Sequence, residues 1–145
     1  MRLRRGFTLT ELLIVIAVLG ILAGMAVVKL NPQAERARAG EAVTLLTIIR
    51  QAEESYRFDH NGAYQPVSGD ATDADWDAIG LTNPNQAGGP FHYFVPAGDA
   101  PPNFVAMAQR NPTANAGNYA GTTIGLMHTS DFCGTHPFTP RTADC

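Results

Sequence analysis

Residues 12–28 run without a charged or strongly hydrogen-bonding side chain, and apolar residues fall on every side of the helix they would form. A helix apolar all round belongs in lipid or in a bundle of helices. Extended back to Phe7, the segment has 22 residues. That is about 33 Å at roughly 1.5 Å per residue, a match to a hydrocarbon core of about 30 Å. Beyond Pro32 the pattern changes. Ala42, Leu45, Leu46, Ile49, Ala52 and Tyr56 recur at three- and four-residue steps and make one apolar stripe. Glu41, Thr44, Thr47, Gln51, Glu54 and Arg57 lie largely off it, and Glu53 with Arg57 is spaced for a weak exposed pair. The pattern stops at Asp59-His60-Asn61-Gly62, where Gly62 is a natural helix end. One helix over residues 7–59 is expected, its second half suited to packing under a sheet.

From residue 63 onward turns dominate. A short helix is expected over 72–81, with Thr72 as its cap and Asp73, Asp75 and Asp77 near its positive end. Residues 91–95, 104–108 and 122–128 read as short strands separated by loops rich in Gly, Pro and Asn. The loops 96–103 and 109–121 are long for plain hairpins, which suggests exposed surface. Phe91, Tyr93 and Phe94 are strand and core residues rather than a base-stacking platform. The fold class is α+β: a long N-terminal helix packed on a small antiparallel sheet, with residues 7–30 hydrophobic, 31–60 amphipathic and 61–145 forming a head.

Composition refines this picture. The chain has 145 residues, 45% apolar and 16% charged, with a formal charge of −3. That is material for one core, and there is no global basic field to attract nucleic acid. The charge is unevenly placed: Arg2, Arg4 and Arg5 crowd the start. A cleaved secretory signal would have a shorter apolar stretch and no acid at its front edge, where Glu11 stands. A plain membrane anchor would keep the arginines in the cytoplasm and the C-terminal part outside. A third reading accounts for Glu11. A carboxylate at the edge of an apolar helix is costly unless partnered. A chain cut just before Phe7 would supply a free α-amine as that partner.

The run Arg4-Arg5-Gly6-Phe7-Thr8-Leu9-Thr10-Glu11-Leu12-Leu13 resembles the class III leader and helix start of type IV prepilins and related pseudopilins. The resemblance implies a leader of residues 1–6, cleavage between Gly6 and Phe7 by a membrane prepilin peptidase, and N-methylation of Phe7. It makes 7–30 a transmembrane and filament-core helix in which Glu11 and Phe7 serve assembly. It also implies the pilin-like fold. Two positions depart from the family pattern. Thr10 replaces a large aliphatic residue, and Val28 stands where many members carry a helix-bending proline. Any kink or melted stretch is therefore expected later, near Pro32.

The chain has two cysteines, Cys133 and Cys145. A disulfide between them would restrain the chain end of a small head, and many pilins have a similar C-terminal loop. The competing reading is zinc held by His128, Cys133, His136 and Cys145, although no second close-spaced pair completes such a site. Asp70, Asp73, Asp75 and Asp77 form a weak calcium candidate. Their spacing is not an EF-hand loop, and a capped, solvated helix start explains them as well. Major pseudopilins of type II secretion do bind calcium in the head. No cofactor is otherwise expected. His60, His92, His128 and His136 are scattered, without a paired nucleophile, and Gly88-Gly89-Pro90 reads as a turn rather than a phosphate loop. The chain is not expected to be an enzyme. No Asn-x-Ser/Thr acceptor occurs with x other than Pro.

The expected function is that of a structural subunit of a type IV pilus or pilin-like filament, held in the inner membrane as a single-pass precursor and then assembled into a surface pilus or periplasmic filament. Its partners would be copies of itself or other pilins, the prepilin peptidase, the inner-membrane assembly machinery and, before assembly, the bilayer. A nucleic-acid partner is not legible. The alternatives are a type II secretion pseudopilin and, from another class, a membrane-anchored DNA- or metal-binding module that never polymerises.

Overall fold

The structure is a computed structural model that describes residues 7–69, 73–97, 103–112 and 116–140; for 26–31 and 86–87 it describes the backbone alone. Contacts divide the chain into two units, Met1–Ala37 and Arg38–Cys145.

In the first unit the described backbone is almost wholly the beginning of helix α1 (Leu9–Asp59). The helical backbone passes through Pro32 without the melted stretch expected there. Proline removes one N–H from the ladder, and the turns on either side keep theirs.

In the second unit α1 supplies one wall of the core. Ala39, Ala42, Leu46 and Ile49 are buried at three- and four-residue steps, and Val43, Leu45, Ala52 and Tyr56 flank them. The helix end differs from the expectation in one detail. Asn61 is the first residue to turn left-handed (φ 55°), and the Gly62 N–H then reaches back to the Arg57 carbonyl at 3.0 Å. Asn tolerates this conformation, so Gly62 follows the stop rather than making it.

The spacing of Glu53 and Arg57 does not produce the exposed pair expected of it. Glu53 is buried, and Arg57 instead meets Glu54 at 3.0 Å. The helix turns Glu53 toward the core face, next to Ile49 and Ala52 in the stripe.

The sheet has four strands in the order β1-β2-β3-β4, all antiparallel: β1 (Phe91–Phe94), β2 (Val105–Arg110), β3 (Thr123–Met127) and β4 (Phe132–Cys133). Burial alternates along β1 and β2, which sends Phe91, Tyr93, Ala106 and Ala108 to the core and their neighbours outward. Ile124 and Leu126 of β3 complete the wall facing the helix residues. Burying a Leu46 or an Ile49 is worth roughly 1.5–3 kcal/mol each.

Strand β2 runs two residues past its expected end. Arg110 gives its N–H to Thr122 at 2.8 Å, and its buried guanidinium donates to the Pro90 carbonyl at 2.9 Å. The expected loop after it also contains a 3-10 turn, Gly117–Tyr119. β4 was not expected. Gly134 follows it at φ 123°, and a Cβ there would collide with the Thr123 carbonyl.

The outer edge of β1 is covered twice. Val67 and Val95 exchange backbone hydrogen bonds of 3.0 and 2.7 Å. The Asn85 amide, carried on the 3-10 turn Pro84–Ala87, bonds both the N–H and the carbonyl of Tyr93 at 2.8 Å, as a neighbouring peptide would. Both contacts occupy edge groups that another strand could otherwise use.

The short helix α2 (Asp73–Ala78) is smaller than expected, and Thr72 lies outside the described residues. Gly80 turns left-handed at φ 75°, and Leu81 N–H bonds the Trp76 carbonyl at 3.0 Å, which closes the helix early.

Candidate functional site

The first turn of α1 concentrates the unusual chemistry. Thr8 stands just before the helix and Glu11 three residues on. The Glu11 carboxylate, through Oε2, accepts the Thr8 N–H at 2.8 Å and the Thr8 hydroxyl at 2.8 Å. The Thr8 Oγ1 in turn accepts the Glu11 N–H at 3.2 Å. This is a reciprocal capping box, which satisfies backbone donors that an open helix end leaves unpaired. It requires a Thr or Ser followed at the third position by Glu or Gln, and Thr8-Leu9-Thr10-Glu11 has that spacing. The signal was therefore present in the sequence, where Glu11 was read only for its charge.

Both oxygens of one carboxylate are thereby distinguished. Oε2 takes the two Thr8 donors, while Oε1 takes none among the described residues. Phe7, next to this box, is 84% exposed. Gly6, the other half of the expected cleavage site, lies outside the described residues.

Behind the box the helix is apolar and uncovered. Every large hydrophobic residue from Leu9 to Met25 is exposed, the least of them, Val15, by 48%. A Cβ built on Gly20 or Gly24 meets nothing within 4 Å. Glycine in a helix interior costs about 1 kcal/mol relative to alanine, and nothing in the described chain uses the space these two leave. Placed four residues apart, they let another helix come close on that side. Among the described residues no helix is long and apolar enough to cross a membrane. The side chains described in this run end at Met25, whereas in the sequence it continues through residue 28.

The other expected sites are described only in part. Asp70 and Cys145 lie outside the described residues. Asp73 accepts the Asn83 amide at 3.2 Å, and Asp73, Asp75 and Asp77 sit on or beside α2. Among the described residues no three His, Cys, Asp or Glu side chains converge as a metal site. His136 is buried instead among Phe91, Tyr119 and Phe138, with ring centroids 5.6–5.8 Å apart, and its Nδ1 accepts the Phe138 N–H at 3.3 Å. Cys133 is buried in β4. His60 stacks on Tyr56 at 3.7 Å, His128 lies near Phe104, and His92 stands on β1 opposite Gln109, so the four histidines remain dispersed.

Comparison with a family model bears on the same end of the chain. The family described as the prokaryotic N-terminal methylation motif matches residues 1–27. The type II secretion system core protein G of Pectobacterium carotovorum subsp. carotovorum is 38% identical over 58 residues, 40% of this chain and 37% of that protein. The type IV major pilin PilE1 of Neisseria gonorrhoeae is 41% identical over 58 residues, 40% of this chain and 35% of that protein. The chain thus spans well under half the length of these curated relatives. Among solved structures, the non-core minor pilin PilV of Neisseria meningitidis aligns with a TM-score of 0.49 at 18% identity, over 77% of this chain and 95% of that one. The methylation motif and these relatives agree: part of this chain, including its first 27 residues, is similar to type IV pilins and to the core protein G of type II secretion.

Proposed function

We propose that the chain is a structural subunit of a type IV pilus or pilin-like filament, made as an inner-membrane precursor, cleaved between Gly6 and Phe7, methylated on Phe7 and polymerised through the first half of α1. The observation that carries this reading is the pairing of a capped carboxylate, Glu11, with an apolar helix whose large side chains from Leu9 to Met25 are all exposed among the described residues.

The apolar surface has two suitable environments, lipid before assembly and neighbouring helices after it. Extraction from the bilayer into a filament core exchanges one for the other, so little apolar surface meets water on the way. The charge then sets position. In a low-dielectric core an unpaired carboxylate is costly, whereas one facing an α-amine is compensated. The Phe7 amine of an adjacent subunit would supply that charge at Oε1, and the Thr8 box on Oε2 need not open. A subunit out of register leaves both charges unmatched.

A type II secretion pseudopilin is the second reading, supported by the likeness to core protein G. It uses the same processing and the same helix. In either reading the chain acts by assembly rather than catalysis, and the precursor keeps Arg2, Arg4 and Arg5 on the cytoplasmic side. The finished filament would be on the cell surface or in the periplasm. Cys133 and Cys145 are taken as a disulfide that ties the chain end to β4; the burial of Cys133 supports this.

The test is Glu11→Ala beside Glu11→Gln in cells that make the filament. Both variants should be cleaved at Phe7. Glu11→Ala should yield few or no sheared filaments, and the yield of Glu11→Gln should separate the contribution of charge from that of hydrogen bonding. Wild-type filament yield and length from cleaved Glu11→Ala would overturn the pairing.

A further inference from the structure

Glu53 has no evident reason to be where it is. It is fully buried on α1. Its Oε2 accepts the backbone N–H of Gln65 at 2.9 Å, and its Oε1 has no hydrogen-bond partner. Among the described residues no cation pairs with it. On the same helix Arg57 meets Glu54 at 3.0 Å, and Arg50 donates to the His128 carbonyl at 3.3 Å. From the segment after the helix, Tyr64 gives its hydroxyl to Glu54 Oε1 at 2.9 Å. Toward the sheet, Tyr64 packs on Phe104 with ring centroids 4.4 Å apart, and Phe104 lies 6.5 Å from the His128 ring. Glu54, Arg57 and Tyr64 thus engage one another, Arg50 and His128 engage each other, and among the described residues none of them forms an ion pair with Glu53.

The contact lies where α1 hands over to the head. Gln65 is two residues before Val67, whose paired hydrogen bonds to Val95 attach the segment to the outer edge of β1. A helix residue thus holds the connection between α1 and the sheet by one hydrogen bond to a buried carboxyl group.

We propose that Glu53 is a pH-sensitive latch: with its proton it holds the 63–67 segment against α1, and when the proton leaves it releases that segment. A buried carboxylate without a counter-charge is strongly disfavoured, whereas the neutral acid tolerates the same site. Burial raises the Glu53 carboxyl from its ordinary 4.5 to about 7, against a smaller opposing effect of the Gln65 N–H.

The sign follows from the direction of that rise. With the segment open and Glu53 in water, the proton leaves at ordinary carboxylate pH; with the segment closed it stays until about 7. Closure is therefore complete in strength below about 4.5, weakens as pH rises, and has lost its full increment above about 7. Across that window the closed-to-open ratio falls on the order of 100-fold. The latch does not depend on the filament reading.

The experiment uses the full chain in detergent micelles. Carboxyl-carbon NMR follows the titration of Glu53, and amide exchange, corrected for the intrinsic rate at each pH, follows Gln65 and Val67. Glu53 should titrate close to 7, and the protection of Gln65 and Val67 should fall on the order of 10- to 100-fold between pH 5 and pH 8, with a smaller change at Ala108. Glu53→Gln keeps the volume and an acceptor and should flatten the profile. Titration of Glu53 in the ordinary carboxylate range, or an unchanged pH dependence in Glu53→Gln, would overturn the latch. The wild-type titration decides the matter alone if the variant does not fold.

Discussion

Thr8 and Glu11 bond each other in both directions across the first turn of α1, and both donors from Thr8 fall on the same carboxylate oxygen. The residue with the most unusual charge in the helix is thus held by a neighbour before any second subunit is present. A side chain fixed in one rotamer has less freedom to lose when a partner docks.

Thr8→Ala should fray this turn. Amide exchange at Glu11 and Leu12 should quicken several-fold in detergent micelles, while Thr8→Ser keeps the hydroxyl and should stay close to wild type. Equal exchange in the Ala and Ser variants would show that the box contributes nothing to the helix start.

Processing gives a second prediction. Mass spectrometry of purified filaments should find Phe7 as the first residue, carrying a methyl group. Loss of Arg2, Arg4 and Arg5 changes the formal side-chain charge from −3 to −6. Replacing Gly6 by a bulky residue should leave the uncut precursor in the membrane fraction. A mature terminus at any other position would sink this assignment.

Gly24 separates folding from assembly. A Cβ there meets nothing within 4 Å, so Gly24→Leu should leave the thermal unfolding of the head unchanged. Filament yield should drop, because a larger side chain keeps helices apart. Wild-type yield would mean that this face of the helix is not an interface.

Leu46 belongs to the core of the head. It is fully buried beside Ala42 and Ile49. Leu46→Ala should cost about 2–5 kcal/mol in chemical unfolding. Ile48→Ala, one step round the helix at an exposed position, should cost far less. Similar losses at both sites would contradict the packing of α1 described above.

The cysteines can be tested directly. Alkylation of the exported protein without reductant should label neither Cys133 nor Cys145, and reduction should expose both. Full labelling without reductant would remove the disulfide and bring back the reading of His128, Cys133, His136 and Cys145 as metal ligands.

Repetition along the chain made α1 and three strands legible. The 3.6-residue stripe from Ala42 to Tyr56 and the alternation along β1 and β2 each recur often enough to specify a face without knowledge of what covers it. The candidate assembly residues Phe7 and Glu11 were named from the resemblance of the 4–13 run to prepilins, whereas the capping box, also a local pattern, was overlooked. Features that join distant residues were not legible. β4 has two residues and exists through its pairing with Gly125 and Leu126. Arg110 extends β2 because Thr122 and Pro90 receive its donors. Asn85 covers an edge strand eight positions away. Glu53 is the sharpest instance. Its spacing from Arg57 suits a solvent-exposed ion pair, yet the orientation of α1 on the head brings it under cover and leaves Gln65 as its partner. Local spacing fixes which side chains share a helix face; which faces lose water depends on the packing of elements far apart in the chain, and only the tertiary structure decides that.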